Sequence, residues 1–150
     1  MWQSISRVRG GEVIYSGGEG VIAVVGDMRV VEGEGVPLPR GPYSPAVTWD
    51  KLVYVSGLLA INPDGREVAG DVREEAMVVL RNLKRILEEA GSGMERVLSV
   101  GVYLADIGDL PAFNEVYEEF FRSPYPARTA VGVSLLGGFR VELSAVAYRE

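Results

Sequence analysis

The chain has 150 residues, 47% of them hydrophobic and 24% charged, the size and composition of one globular domain. It contains no cysteine and no histidine, which excludes disulfides, thiolate nucleophiles, zinc–thiolate sites, histidine-ligated metals and imidazole triads, and leaves a carboxylate, lysine, tyrosine or terminal amine as any general base. The net charge of −6 runs against general nucleic-acid binding, whose affinity comes from neutralising phosphates, but leaves room for a local basic patch.

Residues 1–37 read as an N-terminal extension, either a dispensable arm or an extra hairpin. Glycines cluster there around short β-rich runs at 12–15, 21–25 and 28–31. No run near the start reaches the roughly 7–15 apolar residues of a secretory signal or the roughly 20 of a membrane span, so a cytoplasmic location is expected. Gly18-Glu19-Gly20-Val21-Ile22-Ala23 fits the dinucleotide pattern G-x-G-x-x-A. That loop works only where it opens a helix, and the β-branched run ended by Gly26-Asp27 predicts a strand instead. Pro37, Pro39 and Pro42 form a stiff lead-in to a domain over 38–150.

Residues 46–49 and 52–61 read as strands around an Asp50-Lys51 turn, and Asn62-Pro63-Asp64-Gly65 as a second turn. Asp71 stands as an N-cap with Glu74 in capping-box position. Ala76, Val79, Leu80, Leu83, Ile86, Leu87 and Ala90 then recur at helical spacing until Gly91. An apolar run at 97–105 predicts an interior strand. A second helix begins around 109–111, with Phe113, Val116, Tyr117 and Phe120 as its buried stripe. Strands at 128–135 and 140–148 finish the chain, the first with Thr129, Val131, Val133 and Leu135 on its apolar face, the second with Val141, Leu143, Ala145 and Ala147. This order implies crossovers onto one sheet with helices covering a face.

In the last two strands the period-2 alternation leaves Arg128 and Ala130, and likewise Arg140, Glu142 and Ser144, on the face away from the apolar set. Charges on a sheet are costly unless paired, solvated or functional, and spacing alone favours a structural ion pair or a solvated face. The glutamate pairs at 74–75, 88–89 and 118–119 fall opposite the apolar helix stripes and read as solvated surface. Taken singly, Tyr43 reads as packing and Asn114 as surface.

Five segments taken together point further: Gly41-Pro42-Tyr43-Ser44-Pro45-Ala46-Val47, Val53-Tyr54-Val55-Ser56-Gly57 with Asn62-Pro63-Asp64-Gly65, Phe113-Asn114-Glu115-Val116-Tyr117, Pro126-Ala127-Arg128-Thr129-Ala130-Val131, and Val141-Glu142-Leu143-Ser144-Ala145-Val146-Ala147. In this order they resemble the RidA/YjgF family over about residues 38–149. The resemblance implies an α+β, chorismate-mutase-like fold, a mixed β-sheet with two helices packed on one face, assembled as a homotrimer with clefts between subunits. It implies hydrolysis of short 2-imino acids such as 2-iminobutanoate and 2-iminopropanoate to 2-oxo acids and ammonia, without cofactor or metal. Its ligand would be a small 2-imino or 2-oxo acid; neither membrane nor nucleic acid is expected as a partner.

Carried over by motif, Arg128 would clamp the substrate carboxylate with parallel N–H bonds, and Glu142 would orient and deprotonate the attacking water. Tyr43, Ser56, Gly57, Asn114 and the backbone at Ala130 match positions lining the family pocket. Pro45 and Leu58 stand where the family usually has glutamine, and Ser144 where a second glutamate is common, so substrate preference is left open. Met28 offers a start that would give a usual family length, and residues 1–27 are then expected to be dispensable. Two further readings share the scaffold: an endoribonuclease or translation inhibitor, and a non-catalytic module that binds small carboxylates with Arg128 and has no need of Glu142.

Overall fold

The structure, a computed structural model, describes residues 27–150 and, ahead of them, three short strands. These are β1 (Ser6–Arg7), β2 (Glu12–Ser16) and β3 (Val21–Val25), which form an antiparallel sheet in the order β1-β2-β3. The strand at β3 is what the β-branched run predicts; residues 18–20, the first part of the discounted dinucleotide motif, lie outside the described residues.

The second sheet has six strands: β4 (Arg29–Val30), β5 (Ala46–Trp49), β6 (Leu52–Leu58), β7 (Val97–Leu104), β8 (Ala127–Gly132) and β9 (Val141–Tyr148), in the order β4-β5-β6-β9-β7-β8. Every pairing is antiparallel except β7 with β8. Parallel neighbours need a crossover, and α2 (Leu110–Phe120) supplies it. The sheet is therefore mixed, with two helices, as the resemblance implies.

The longer helix, α1 (Val72–Glu89), starts at the expected capping box: the Asp71 side chain accepts from the Arg73 and Glu74 amides, and Glu74 accepts from the Asp71 amide. Just past its end Gly91 adopts φ +74°, a left-handed conformation that suits glycine. The stripe Ala76, Val79, Leu80, Leu83, Ile86 and Leu87 is fully buried against a single sheet face made by Val53, Val55, Val100, Val102, Leu143 and Ala145. Burying a Val or Leu side chain is worth roughly 1.5–3 kcal/mol, so this interface anchors the domain.

Three expectations change, each for a physical reason. β6 carries an extra residue between Val55 and Leu58 and stops after its last β9 pair, Leu58 with Leu143. There the chain turns to pair with its own continuation: Ile61 bridges to Glu67, and the Val68 amide donates to the Ala60 carbonyl. β8 stops at Gly132; one more bond, from the Val133 amide to the Leu104 carbonyl, precedes a tight turn in which Gly137 and Gly138 both have positive φ. The third change concerns faces. Arg128 and Ala130 of β8 stand beside Val100 and Val102, whose side chains are buried on the helix side of the sheet. Thr129 and Val131 therefore take the open face, where Val131 is exposed. β8 is an edge strand exposed along most of its length, so its apolar alternation does not mark the core.

Candidate functional site

The expected site residues divide into two sets, and the sheet separates them. The first set gathers at the β8 edge. Arg128 projects toward α2, where its Nη1 donates to Asn114 Oδ1 at 2.8 Å. Its guanidinium lies over the Tyr117 ring, 4.8 Å from the centroid, a cation–π contact. Asn114 and Tyr117 are one helical turn apart, so both reach the same guanidinium: one by hydrogen bond, one by its ring face. With Tyr125, Pro126 and Glu118 they line a cleft of about 260 Å³. Ala130 is half-buried on the same face of β8, whose outer backbone edge has no strand partner among the described residues.

Tyr117 belongs to this set although its spacing marks it only as core. Its ring packs between Phe113 and Phe121, and its hydroxyl is buried without a hydrogen-bond partner among the described residues. Burial pushes its pKa up to about 12, against the lowering influence of Arg128. Tyr117 thus stays neutral near neutral pH and serves as a platform rather than a base. The available signal was its place three residues after Asn114.

The second set lies on the open face. Glu142 sits beside Tyr103 in the β7–β9 register, alternating with the buried Val141 and Leu143. Its carboxylate is seated over Gly57 so closely that a Cβ there would collide with Oε1. Gly57 occupies the β6 bulge, and the missing side chain makes room for the carboxylate. Ser56, the other bulge residue, ties the preceding loop down: its amide donates to the Pro45 carbonyl at 3.0 Å, and its hydroxyl to the Ser44 carbonyl at 2.6 Å. Half-exposed Tyr43 lines a small cavity with Ser56, Gly57 and Pro45, and its hydroxyl accepts from the Arg40 amide at 3.2 Å. The Arg40 guanidinium then pins this loop to Glu67 and to the Gly65 carbonyl. Sequence reasoning did not single out Arg40.

Both unusual residues are accommodated. Pro45 is buried and uses its carbonyl, which proline retains, so the missing amide costs the Ser56 contact nothing. Leu58 points to the helix side and is 7% exposed, a core position rather than one on the open face beside Glu142. Ser144 occupies the open face two residues beyond Glu142.

Arg128 and Glu142 consequently lie on opposite faces of one sheet. The Endoribonuclease L-PSP family model matches residues 34–149. The chain belongs to this family, the RidA/YjgF family. A RutC family protein of Pyrococcus abyssi is 43% identical over 124 residues, covering 81% of this chain and 98% of that protein. The human protein named 2-iminobutanoate/2-iminopropanoate deaminase is 42% identical over 121 residues, covering 79% of this chain and 88% of that one. Among solved RidA/YjgF structures, E. coli TdcF with bound serine superposes with a TM-score of 0.77 at 31% identity, covering 81% of this chain and 99% of that chain.

Proposed function

We propose that the chain is a 2-imino acid deaminase whose sites form between copies in a homotrimer, Arg128 and Asn114 coming from one subunit and Glu142, Gly57, Ser56 and Tyr43 from the next. The observation that carries this reading is the division of the site into two incomplete halves on opposite faces of the sheet. The open face supplies a surface for assembly, since Trp49, Tyr54 and Tyr148 are each more than 40% exposed there, and clustered exposed aromatics mark interaction sites. The named deaminases at about 40% identity and the serine bound to TdcF support a small carboxylate as ligand.

In this mechanism the Arg128 guanidinium, oriented by Asn114 and Tyr117, holds the substrate carboxylate through its remaining N–H groups. The partner's carboxylate at position 142 accepts a hydrogen bond from water and takes its proton as the oxygen attacks C2 of the imine. The imine nitrogen, protonated on entry, becomes the amine of a neutral carbinolamine, and the carboxyl group returns the water proton to that nitrogen. The C2–N bond breaks with loss of ammonia, and the hydroxyl proton passes to the carboxylate and on to the ammonia as the C2 oxygen becomes the carbonyl of the 2-oxo acid. Water is consumed; no electrons are exchanged. The cytoplasm, where amino-acid metabolism releases such imines, is the compartment this reading calls for.

The test is loss of 2-iminobutanoate and 2-iminopropanoate, generated in situ and trapped with semicarbazide, for wild type, Arg128→Ala and Glu142→Ala. Acceleration by wild type that either substitution abolishes supports the deaminase. A folded trimer that binds 2-oxobutanoate through Arg128 without accelerating imine loss would replace it with the binding module.

A further inference from the structure

Of the glutamates that read as solvated surface, Glu75 is not: it is 2% exposed on the sheet-facing side of α1. A carboxylate is rarely buried so fully unless it is satisfied there. Its Oε2 accepts from the Arg140 amide at 2.8 Å and from the Val141 amide at 3.3 Å. Those are the last residue of the β8–β9 loop and the first of β9, immediately ahead of Glu142. The Arg140 carbonyl is used as well, accepting from the Ala105 amide at 2.9 Å. The backbone entering β9 is thus held from the helix side by one side chain and from β7's end by one main-chain bond.

We propose that Glu75 is a positioning residue for Glu142: by fixing the amides of Arg140 and Val141 from within the core, it sets where the Glu142 carboxylate stands over the Gly57 bulge. The inference rests on the deaminase reading and assigns a role to a residue that reading does not use. Glu75 lies on the helix side of the sheet and Glu142 on the other, so it acts through the backbone alone. Asp109 and Arg140 face the same spot. The Asp109 carboxylate, with Oδ2 buried and lacking a hydrogen-bond partner among the described residues, raises the cost of a charge on Glu75, while the Arg140 guanidinium, 3.5 Å from that Oδ2, offsets it. Neither makes the contact to the β9 amides. Among the described residues, Glu75 is the side chain that reaches them.

The discriminating experiment compares Glu75→Ala, Glu75→Asp and Glu75→Gln for imine turnover, for 2-oxobutanoate affinity by calorimetry, and for trimer mass and melting temperature. Misplacing a reacting group by about 1 Å can cost on the order of 100-fold in rate. Glu75→Ala is therefore expected to lose turnover on that scale, with 2-oxobutanoate affinity, which depends on Arg128, within about twofold of wild type. Glu75→Gln keeps the acceptor and is expected to retain most turnover; Glu75→Asp, drawn back by one methylene, falls between. Should Glu75→Ala not fold, Glu75→Asp carries the comparison. Undiminished turnover in a folded Glu75→Ala or Glu75→Asp trimer overturns the proposal, and so does loss of turnover and affinity together, or a Gln variant no better than Ala. Inactive wild type would instead strike down the deaminase reading before any variant is compared.

Discussion

Adding a single methyl group at Gly57 separates the catalytic geometry from the fold. A Cβ built there lies 3.0 Å from Glu142 Cδ, 3.4 Å from Cγ and in collision with Oε1. Gly57 is exposed and is absent from the glycines with positive φ, so alanine meets no left-handed backbone strain. The obstacle is the end of a flexible side chain, which can rotate away at little cost to folding. Reaching van der Waals distance requires Oε1 to retreat by about 1.4 Å, more than the roughly 1 Å that can cost on the order of 100-fold when the moved group is reactive. That corresponds to about 2.7 kcal/mol of transition-state stabilisation. Semicarbazide-trapped turnover should therefore fall by roughly that factor in Gly57→Ala, with a melting temperature close to wild type. Turnover by Gly57→Ala equal to wild type would refute the reasoning.

Other consequences follow from the same geometry. Arg128→Lys keeps the charge but loses the planar fork held by Asn114 and Tyr117, so calorimetry should show 2-oxobutanoate binding weakened by roughly tenfold or more, since one charge-assisted hydrogen bond is worth about 1.5–3 kcal/mol. Arg128→Ala and Glu142→Ala chains, each inactive alone, should complement when refolded together. With random mixing in a three-fold ring, roughly a quarter of the sites regain both groups, whereas a site contained within one chain would regain none. Burial raises the Glu75 pKa above its ordinary 4.5, so the folded state binds this proton more tightly than the unfolded state. Its stabilising contribution is complete below that ordinary value and is lost as pH climbs toward the raised one. Denaturant melts from pH 4.5 upward should accordingly show Glu75→Gln gaining on wild type as pH rises, and the opposite slope would contradict the assignment. Removing residues 1–27 should leave the trimeric state and turnover unchanged, because the six-stranded sheet begins at Arg29.

Much of the fold was legible because its signals are local. The Asp71 capping box, the α1 stripe and the Gly91 stop concern neighbours in sequence, and each appears where the spacing puts it. The misreadings concern relations between distant segments. Alternation in β8 gives the two faces of the strand correctly but cannot say which one meets the helices; that depends on β8 lying outside β7 at the sheet edge, a matter of topology. Glu75 reads as surface because its neighbour Glu74 is solvent-facing and caps the helix, and because its partners, the amides at 140 and 141, are 65 and 66 residues away. Tyr117 is hidden for the converse reason: a tyrosine in an apolar stripe looks complete as packing, and only the fold brings Arg128 over its ring.

The separation of Arg128 from Glu142 also answers a difficulty that any site of this kind faces. A guanidinium and a carboxylate within reach of one another on the same surface pair, and each partner then occupies the groups the substrate and water need. Among the described residues neither Arg128 nor Glu142 takes part in an ion pair, although Arg40, Arg73, Arg96 and Arg140 all do. Placing the two on opposite faces of a sheet keeps both unpaired during folding of the single chain. The supports differ accordingly: Arg128 is oriented by a neutral amide and an aromatic ring, neither of which cancels its charge, and Glu142 by a glycine that leaves it space. If assembly then brings one subunit's guanidinium opposite the next subunit's carboxylate, the substrate carboxylate and the attacking water fill the gap between charges already held in place. Preorganised groups of this kind stabilise a transition state without reorganising as it forms. Complementation between the Arg128→Ala and Glu142→Ala chains is therefore the most direct test, because it distinguishes a site divided between copies from two unrelated features of one surface.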